Sequence, residues 1–460
     1  MSLIKSISGI RGTIGGKVND NLTPLDVVKF ASAFGTWLQN TQNKKNLTLV
    51  IGRDARISGE MVSSLVTATL QGLGINVVDL GLSTTPTVEI MVPELNADGG
   101  IILTASHNPK QWNALKLLNG KGEFISGDDG AKVLALAESE DFNYAEVDDL
   151  GKYETRDDAF DIHIQQILDL PMVDVEAIKA KKFKIVLDAV NSTGGIAIPM
   201  LLDKLGCETI KLYCEPNGQF PHNPEPLKEH LGDICELVKK EKADLGIVVD
   251  PDVDRLALID EKGEMFGEEY TLVAVADYLL KHKKGVAISN LSSSRALRDV
   301  ARSHDSEYFA SAVGEVNVVN LMKEKNAVIG GEGNGGIIYP DLHYGRDSLV
   351  GAALFLTHLA KEDKTVSQLR AGYPEYFMGK KKIELTPEIN VDDILTKMEK
   401  EYQNEKVSTV DGVKIDFEKN WVHLRKSNTE PIIRIYTEAH SQEEADKLGD
   451  DIIAKIKSLI

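Results

Sequence analysis

Short runs of β-branched and apolar residues alternate with stretches whose apolar positions recur every three or four residues, and this succession occurs three times. "LTLVIGRDARISGEMVSSLVTATLQGLGINVVDLG", "KIVLDAVNSTGGIAIPMLLDKLGCETIKLY" and "GVAISNLSSSRALRDVARSHDSEYFASAV" each read as strand, polar loop, amphipathic helix and second strand. In the second, Val186 and Leu187 lie in the strand, the loop runs from Asn191 to Gly195, and Gly206 ends the helix. Strand alternating with helix predicts right-handed crossovers, mixed or parallel sheets and functional loops at strand ends. The three blocks share a pattern rather than residues, and their spacing is uneven. They predict three related α/β domains and not a solenoid.

After "AGYPEYFMGKKKIEL" the pattern changes. "VDDILTKMEKEYQ" reads as a helix, "GVKIDFEKNWVHLR" and "PIIRIYTEA" as strands, and "SQEEADKLGDDIIAKIKSLI" as a helix started by a Ser441/Glu444 capping box. This predicts a smaller C-terminal α+β domain. Charged or Gly-containing connectors divide the chain into 1–154, 155–260, 261–372 and 373–460.

Composition narrows the function. The 460 residues are 42% apolar and 27% charged, as in a soluble globular protein. A net charge of −19 repels nucleic acid and anionic membrane surfaces, so neither is an expected partner, and an anionic substrate needs a local basic pocket. Cys207, Cys214 and Cys235 are odd in number and lack C-x-x-C spacing, which argues against disulfides and zinc and for a reducing cytoplasm. "MSLIKSISGIRGTIGG" does not read as a signal peptide, and "LVGAALFLTHLA", which contains His358, is too short to span a bilayer.

Four polar loops are candidates for chemistry. In "GGIILTASHNP" Ser106 ends a strand, and the Asn108-Pro109 turn would hold its side chain outward. Taken alone it reads rather as a solvated strand-end turn than as a nucleophile, since it is no G-x-S-x-G elbow and has no evident triad partners. In "ADLGIVVDPDVDRLALID" a buried-type strand runs into Asp250, Asp252 and Asp254, whose mutual repulsion implies a hard divalent cation, Mg²⁺ by preference. An EF-hand is rejected because Arg255 stands where its glycine belongs and strands flank the loop.

In "VIGGEGNGGIIYP" Glu332 and Asn334 lie among five glycines, which suits vicinal hydroxyls of a sugar; the plain alternative is a flexible hairpin. In "HLRKSNTEPIIRIYTEA" Arg425, Ser427, Asn428, Thr429 and Arg434 offer a bidentate cation, hydroxyls and amides to a phosphate, or form an ordinary turn. Arg11, between glycines, could touch a phosphate or be solvated. Lys116 alternates with Leu115 and Leu117, so it projects near Ser106 or snorkels to the surface. A nucleophile, a metal site, a polyol site and a phosphate site together match phosphoryl transfer on a phosphosugar.

These four motifs, "TASHNP", "DPDVDR", "GEGNGG" and "RKSNTEP", resemble those of the α-D-phosphohexomutase superfamily, and the resemblance spans essentially the whole chain. It implies four domains around a central cleft. It implies that Ser106 is a phosphoserine whose phosphate completes a Mg²⁺ site with Asp250, Asp252 and Asp254, with hexose 1,6-bisphosphate as intermediate and activator. By the same resemblance, Lys116 and Arg255 correspond to positions of proton transfer and orientation. His107 corresponds to the residue beside the serine, and Arg11 to one near the phosphoserine. Which group is the base stays open, since a lysine serves only with a lowered pKa.

Many bacterial members end the sugar motif with serine, glycine and histidine, where this chain has Asn334, Gly335 and Gly336. That form resembles a subgroup with phosphoglucosamine mutase and broader phosphomannomutase or phosphoglucomutase activity. The expectation is therefore an isomerase acting on glucosamine phosphate, with mannose or glucose phosphate as the alternative. A phosphosugar phosphatase and a non-catalytic phosphosugar sensor are the rival classes. Retention of Ser106 and all three aspartates speaks against the sensor.

Overall fold

The computed structural model describes residues 2–6, 9–42, 44, 46–384, 390–426 and 432–459. The chain forms two compact units, Met1–Thr271 with Asn334–Leu369, and Leu272–Gly333 with Arg370–Ile460.

The first unit holds a mixed seven-stranded sheet in the order Ile4–Ser6, Gly9–Thr13, Trp112–Asn119, Gly99–Leu103, Thr48–Arg53, Asn76–Leu82, Tyr153–Thr155. Thr48–Arg53 lies parallel to Asn76–Leu82 and to Gly99–Leu103, while Trp112–Asn119 runs antiparallel to Gly99–Leu103. The central strands are apolar without interruption because both faces are covered. Leu49, Ile51, Ile101 and Leu103 join one core with Phe30, Val62 and Val133, and Val50 and Ile102 join another with Val88 and Met91.

A second sheet in this unit carries Lys184–Asp188 between parallel Glu208–Leu212 and Leu245–Val249, and the latter turns into antiparallel Leu256–Ile259. The three aspartates occupy that turn between strands, so the helices an EF-hand requires are absent there. The apolar run noted in the sequence is helix Ser348–Glu362, buried from Ser348 through Ala360, His358 included. Its hydrophobicity thus belongs to a protein core, and among the described residues no helix is long and apolar enough to cross a membrane.

The second unit contains parallel strands Ala287–Asn290, Tyr308–Ser311 and Ile329–Glu332. It also contains an antiparallel sheet in the order Phe377–Glu384, Ile432–Ala439, Trp421–Lys426, Val413–Asp416, Lys406–Ser408. Helices Val391–Glu401 and Gln442–Leu459 cover that sheet through Ile394, Met398, Ile452 and Ile456. Ser441 Oγ accepts the Glu444 N–H at 3.2 Å, as the capping pattern predicts. The chain is therefore built of three α/β blocks and a C-terminal α+β block. Cys207, Cys214 and Cys235 are free.

Candidate active site

Strand Gly99–Leu103 is wholly buried and delivers Thr104 and Ser106 to its C-terminal end. Ser106 adopts φ +48°, a left-handed conformation uncommon outside glycine and characteristic of functional turns. It is held by contacts the sequence reading missed. Thr104 Oγ1 accepts the Ser106 N–H at 2.9 Å and donates to Asp54 Oδ2 at 2.6 Å. Asp54 pairs with Arg56 Nε at 2.9 Å, both side chains fully buried. The Arg56 guanidinium then donates to the carbonyls of Ser106, Asn108, Pro109 and Trp112. Burial pushes the Asp54 pKa up, and the adjacent Arg56 charge opposes that shift. The only sequence trace of this brace is the charged run "RDAR" after a buried-type strand.

Ser106 is only 7% exposed, so its side chain is not turned out to solvent as the Asn-Pro turn by itself suggests. Its hydroxyl donates to Asp250 Oδ2 at 2.8 Å and lies 3.3 Å from His107 Nδ1. Asp250 Oδ1 in turn accepts the N–H groups of Asp254 and Arg255, both at 3.1 Å, which folds the hairpin turn around it.

All three aspartates are fully buried, and one oxygen from each lies within 4.8 Å of the others. Lys116 Nζ is 2.7 Å from Asp252 Oδ2 and 3.6 Å from Asp254 Oδ2. Thr85 Oγ1 donates to Asp252 Oδ2 at 2.6 Å, and Arg346 Nη2 to Asp254 Oδ2 at 2.6 Å. Yet Asp252 Oδ1 and Asp254 Oδ1 are buried with no hydrogen-bond partner among the described residues. Two orphaned carboxylate oxygens beside a third carboxylate are the donor set of a hard cation, so a metal ion fits.

Burial, with repulsion from Asp254 and Asp252, raises the Asp250 pKa well above the usual carboxylate range. Burial acts the same way on Asp252, but the Lys116 ammonium outweighs it and holds that carboxyl below the usual range. For Lys116 itself burial works against the charge, and Asp252 and Asp254 overcome it, so its pKa is raised. It is a buried cation and not a snorkelling lysine. His107 is pushed down to about 2 by burial and by the positive charge of Arg255, so the imidazole is neutral.

Arg255 is 9% exposed and donates to Glu225 Oε1 at 3.1 Å. Arg11 lies on strand Gly9–Thr13, near enough to feel the charges of Asp252 and Arg255, and its pKa is lowered chiefly by burial. Asn334 Oδ1 accepts the Gly336 N–H at 3.3 Å. The first unit thus gathers Ser106, His107, Lys116, Arg11, Arg255 and the aspartates. It adds Thr85, Arg56 and Arg346; the helix-starting "RDS" hints at Arg346 as "RDAR" does at Arg56, and Thr85 has no such trace.

The other predicted residues belong to the second unit. Glu332 ends strand Ile329–Glu332, 6% exposed, and its Oε1 accepts from Asn290 Nδ2 at 2.9 Å and from the Gly314 N–H at 3.1 Å. Arg425 and Arg434 are cross-strand partners, with Arg434 exposed. Arg425 Nε donates to Asp411 Oδ2 at 2.8 Å, a partner not foreseen from the sequence. Ser427, Asn428 and Thr429 lie outside the described residues.

Comparison with known proteins covers nearly the whole chain. Family models described as phosphoglucomutase/phosphomannomutase, alpha/beta/alpha domains I, II and III, match residues 4–144, 161–263 and 267–376, and the C-terminal domain model matches 382–455. A Thermococcus kodakarensis protein named phosphoglucomutase/phosphomannomutase is 37% identical over 440 residues, 94% of this chain and 95% of that one. A Sulfurisphaera tokodaii protein named phosphoglucosamine/phosphogalactosamine mutase is 32% identical over 459 residues, 98% of each chain. The crystal structure of a phosphoglucomutase/phosphomannomutase family protein from Burkholderia thailandensis matches with a TM-score of 0.85 at 26% identity, covering 99% of this chain and 98% of that one. The chain therefore belongs to the phosphoglucomutase/phosphomannomutase family of the α-D-phosphohexomutase superfamily.

Proposed function

We propose that this protein is a phosphosugar mutase, an isomerase that interconverts the 6-phosphate and 1-phosphate of a hexosamine, glucosamine phosphate by preference. It works through a phosphoserine at Ser106 and a hexose 1,6-bisphosphate. The observation that carries the reading is the 2.8 Å hydrogen bond from Ser106 Oγ to Asp250, within a buried triad that keeps two orphaned oxygens.

Asp250, Asp252 and Asp254 with phosphorylated Ser106 would hold Mg²⁺, which supplies positive charge against the transferring phosphoryl group. The P–O bond to Ser106 breaks as one forms to the sugar hydroxyl oxygen, and the hydroxyl proton ends on the released Ser106 Oγ. After the bisphosphate turns over, its other phosphoryl group returns to Ser106. Lys116 and Arg346 offset the carboxylate charge around the reacting oxygen. His107, neutral beside Ser106, can accept a hydrogen bond, and Arg255 braced by Glu225 orients the hydroxyl together with Arg11.

Glu332 and Asn334 would hold ring hydroxyls. Arg425, Ser427, Asn428, Thr429 and Arg434 would grip the phosphate that is not reacting. Hexose 1,6-bisphosphate starts the cycle by phosphorylating Ser106. Four domains bounded near 154, 260 and 372 share these tasks, and the free cysteines suit the cytoplasm.

The relative named phosphoglucomutase/phosphomannomutase, at 37% identity, favours mannose and glucose phosphates as a second reading. Catalytic efficiencies for glucosamine, glucose and mannose 6-phosphates, with Mg²⁺ and trace hexose 1,6-bisphosphate, decide between them. The expected order places glucosamine 6-phosphate first; no turnover of any of the three would sink the reading.

A further inference from the structure

Asp411 joins two parts of the second unit that sequence analysis treated separately. Its Oδ2 accepts from Arg425 Nε at 2.8 Å and from the Val313 N–H at 2.9 Å. The next amide along, Gly314 N–H, donates to Glu332 Oε1 at 3.1 Å. Gly314, at φ +114°, takes a backbone conformation that L side chains rarely adopt, and in this turn consecutive amides serve two different carboxylates.

The Asp411 backbone is pinned as well. His423 Nε2 lies 2.6 Å from the Asp411 carbonyl and must donate to it, while Nδ1 meets Ser292 Oγ at 2.9 Å. A side chain on Gly412 would come within 2.1 Å of the Leu424 carbonyl, so the turn lies tight against strand Trp421–Lys426. None of this is needed to build the sheet, which is already paired in register from Val413 onward.

We propose that Asp411 is a positioning residue that aims the Arg425 guanidinium at a sugar phosphate and couples it, through the Val313–Gly314 turn, to the sugar-binding carboxylate Glu332. The inference rests on the function proposed above. Asp411 takes Nε, which leaves the Nη edge of the guanidinium to point along one direction. Movement of Arg425 toward a phosphate pulls on Asp411 and on Val313, and the adjacent Gly314 amide carries that displacement to Glu332. Phosphate and hydroxyl recognition then reinforce each other instead of acting independently.

The test uses full-length protein, with kinetics and calorimetric binding of glucosamine 6-phosphate and glucose 6-phosphate. Variants are Asp411→Asn, Asp411→Ala, Arg425→Ala, Glu332→Gln and the doubles of Asp411→Ala with each of the latter two. Asp411→Ala is expected to raise KM and Kd about tenfold while kcat changes less than about threefold, with Asp411→Asn intermediate. In the Arg425→Ala background it should cost less than about twofold more, and the loss in the double variant with Glu332→Gln should fall short of the product of the two single losses by about threefold or more.

Multiplicative losses in both doubles, or a loss in kcat alone, would overturn the proposal. So would a defect explained by a lowered melting temperature of Asp411→Asn. Turnover by the wild type together with multiplicative losses in both doubles refutes this inference alone; a wild type that neither binds nor converts either sugar refutes the proposed function and this inference with it.

Discussion

Lys116 Nζ lies 2.7 Å from Asp252 Oδ2, with 9% of the lysine side chain and none of the aspartate exposed to solvent. With Arg346, which pairs with Asp254, this cation partly offsets a cluster of three buried carboxylates. Removing Lys116 leaves more repulsion, which a bound metal cation can relieve. Lys116→Met should therefore lower stability by about 3–5 kcal/mol without divalent metal. Mg²⁺ should restore more stability to this variant than it adds to the wild type, and Asp252→Asn should blunt the response. Urea midpoints with and without Mg²⁺ measure it, and equal Mg²⁺ responses in all three proteins would contradict the metal assignment.

Arg56 is fully buried, pairs with Asp54, and holds three carbonyls of the serine loop and that of Trp112 at the start of the next strand. Arg56→Met should cost about 3–5 kcal/mol, because it strands a buried carboxylate and leaves those carbonyls without their donor. Arg56→Lys cannot span the same fork and should recover only part of the loss. Equal stability of Arg56→Met and wild type in urea unfolding would refute the bracing role.

Lys414 is buried over the Trp421 ring, and burial lowers its pKa from 10.5 to about 8, with Asp416 and Glu438 opposing the shift. Below that value both folded and unfolded chains carry the proton, so burial of the ammonium opposes folding. Between about 8 and 10.5 the unfolded chain binds more protons, so stability should rise with pH across this window. The rise should be on the order of 3 kcal/mol and absent from Lys414→Met. Unfolding of both proteins at closely spaced pH values isolates it by difference.

Ser106 should carry phosphate in the working enzyme. Intact-mass measurement after incubation with hexose 1,6-bisphosphate and Mg²⁺ should show an added mass of about 80 Da, absent from Ser106→Ala. Unmodified wild-type protein that nevertheless turns over substrate would rule out the serine as carrier.

Much of the architecture is legible because it is written in local periodicity. The unbroken apolar strands around Val50 and Ile102 announce strands covered on both faces. Ser106 and the three aspartates are legible for another reason, since each group is contiguous in the chain and ends a buried-type strand. Thr85, Arg346 and Asp411 carry no such signal. Thr85 meets Asp252 across 167 positions and Arg346 meets Asp254 across 92, so no local window joins them.

The sequence by itself determined the order of strands and helices, the four polar loops and, through their motifs, the family. Short-range periodicity and contiguous chemistry suffice for each of these. Tertiary structure decided the electrostatic state of the groups. Whether Lys116 is a surface lysine, a base or a buried cation depends on carboxylates more than 130 residues away, and burial sets the strength of their interaction. It also turned Ser106 inward onto Asp250, because the buried pair of Asp54 and Arg56 dictates the path of the serine loop.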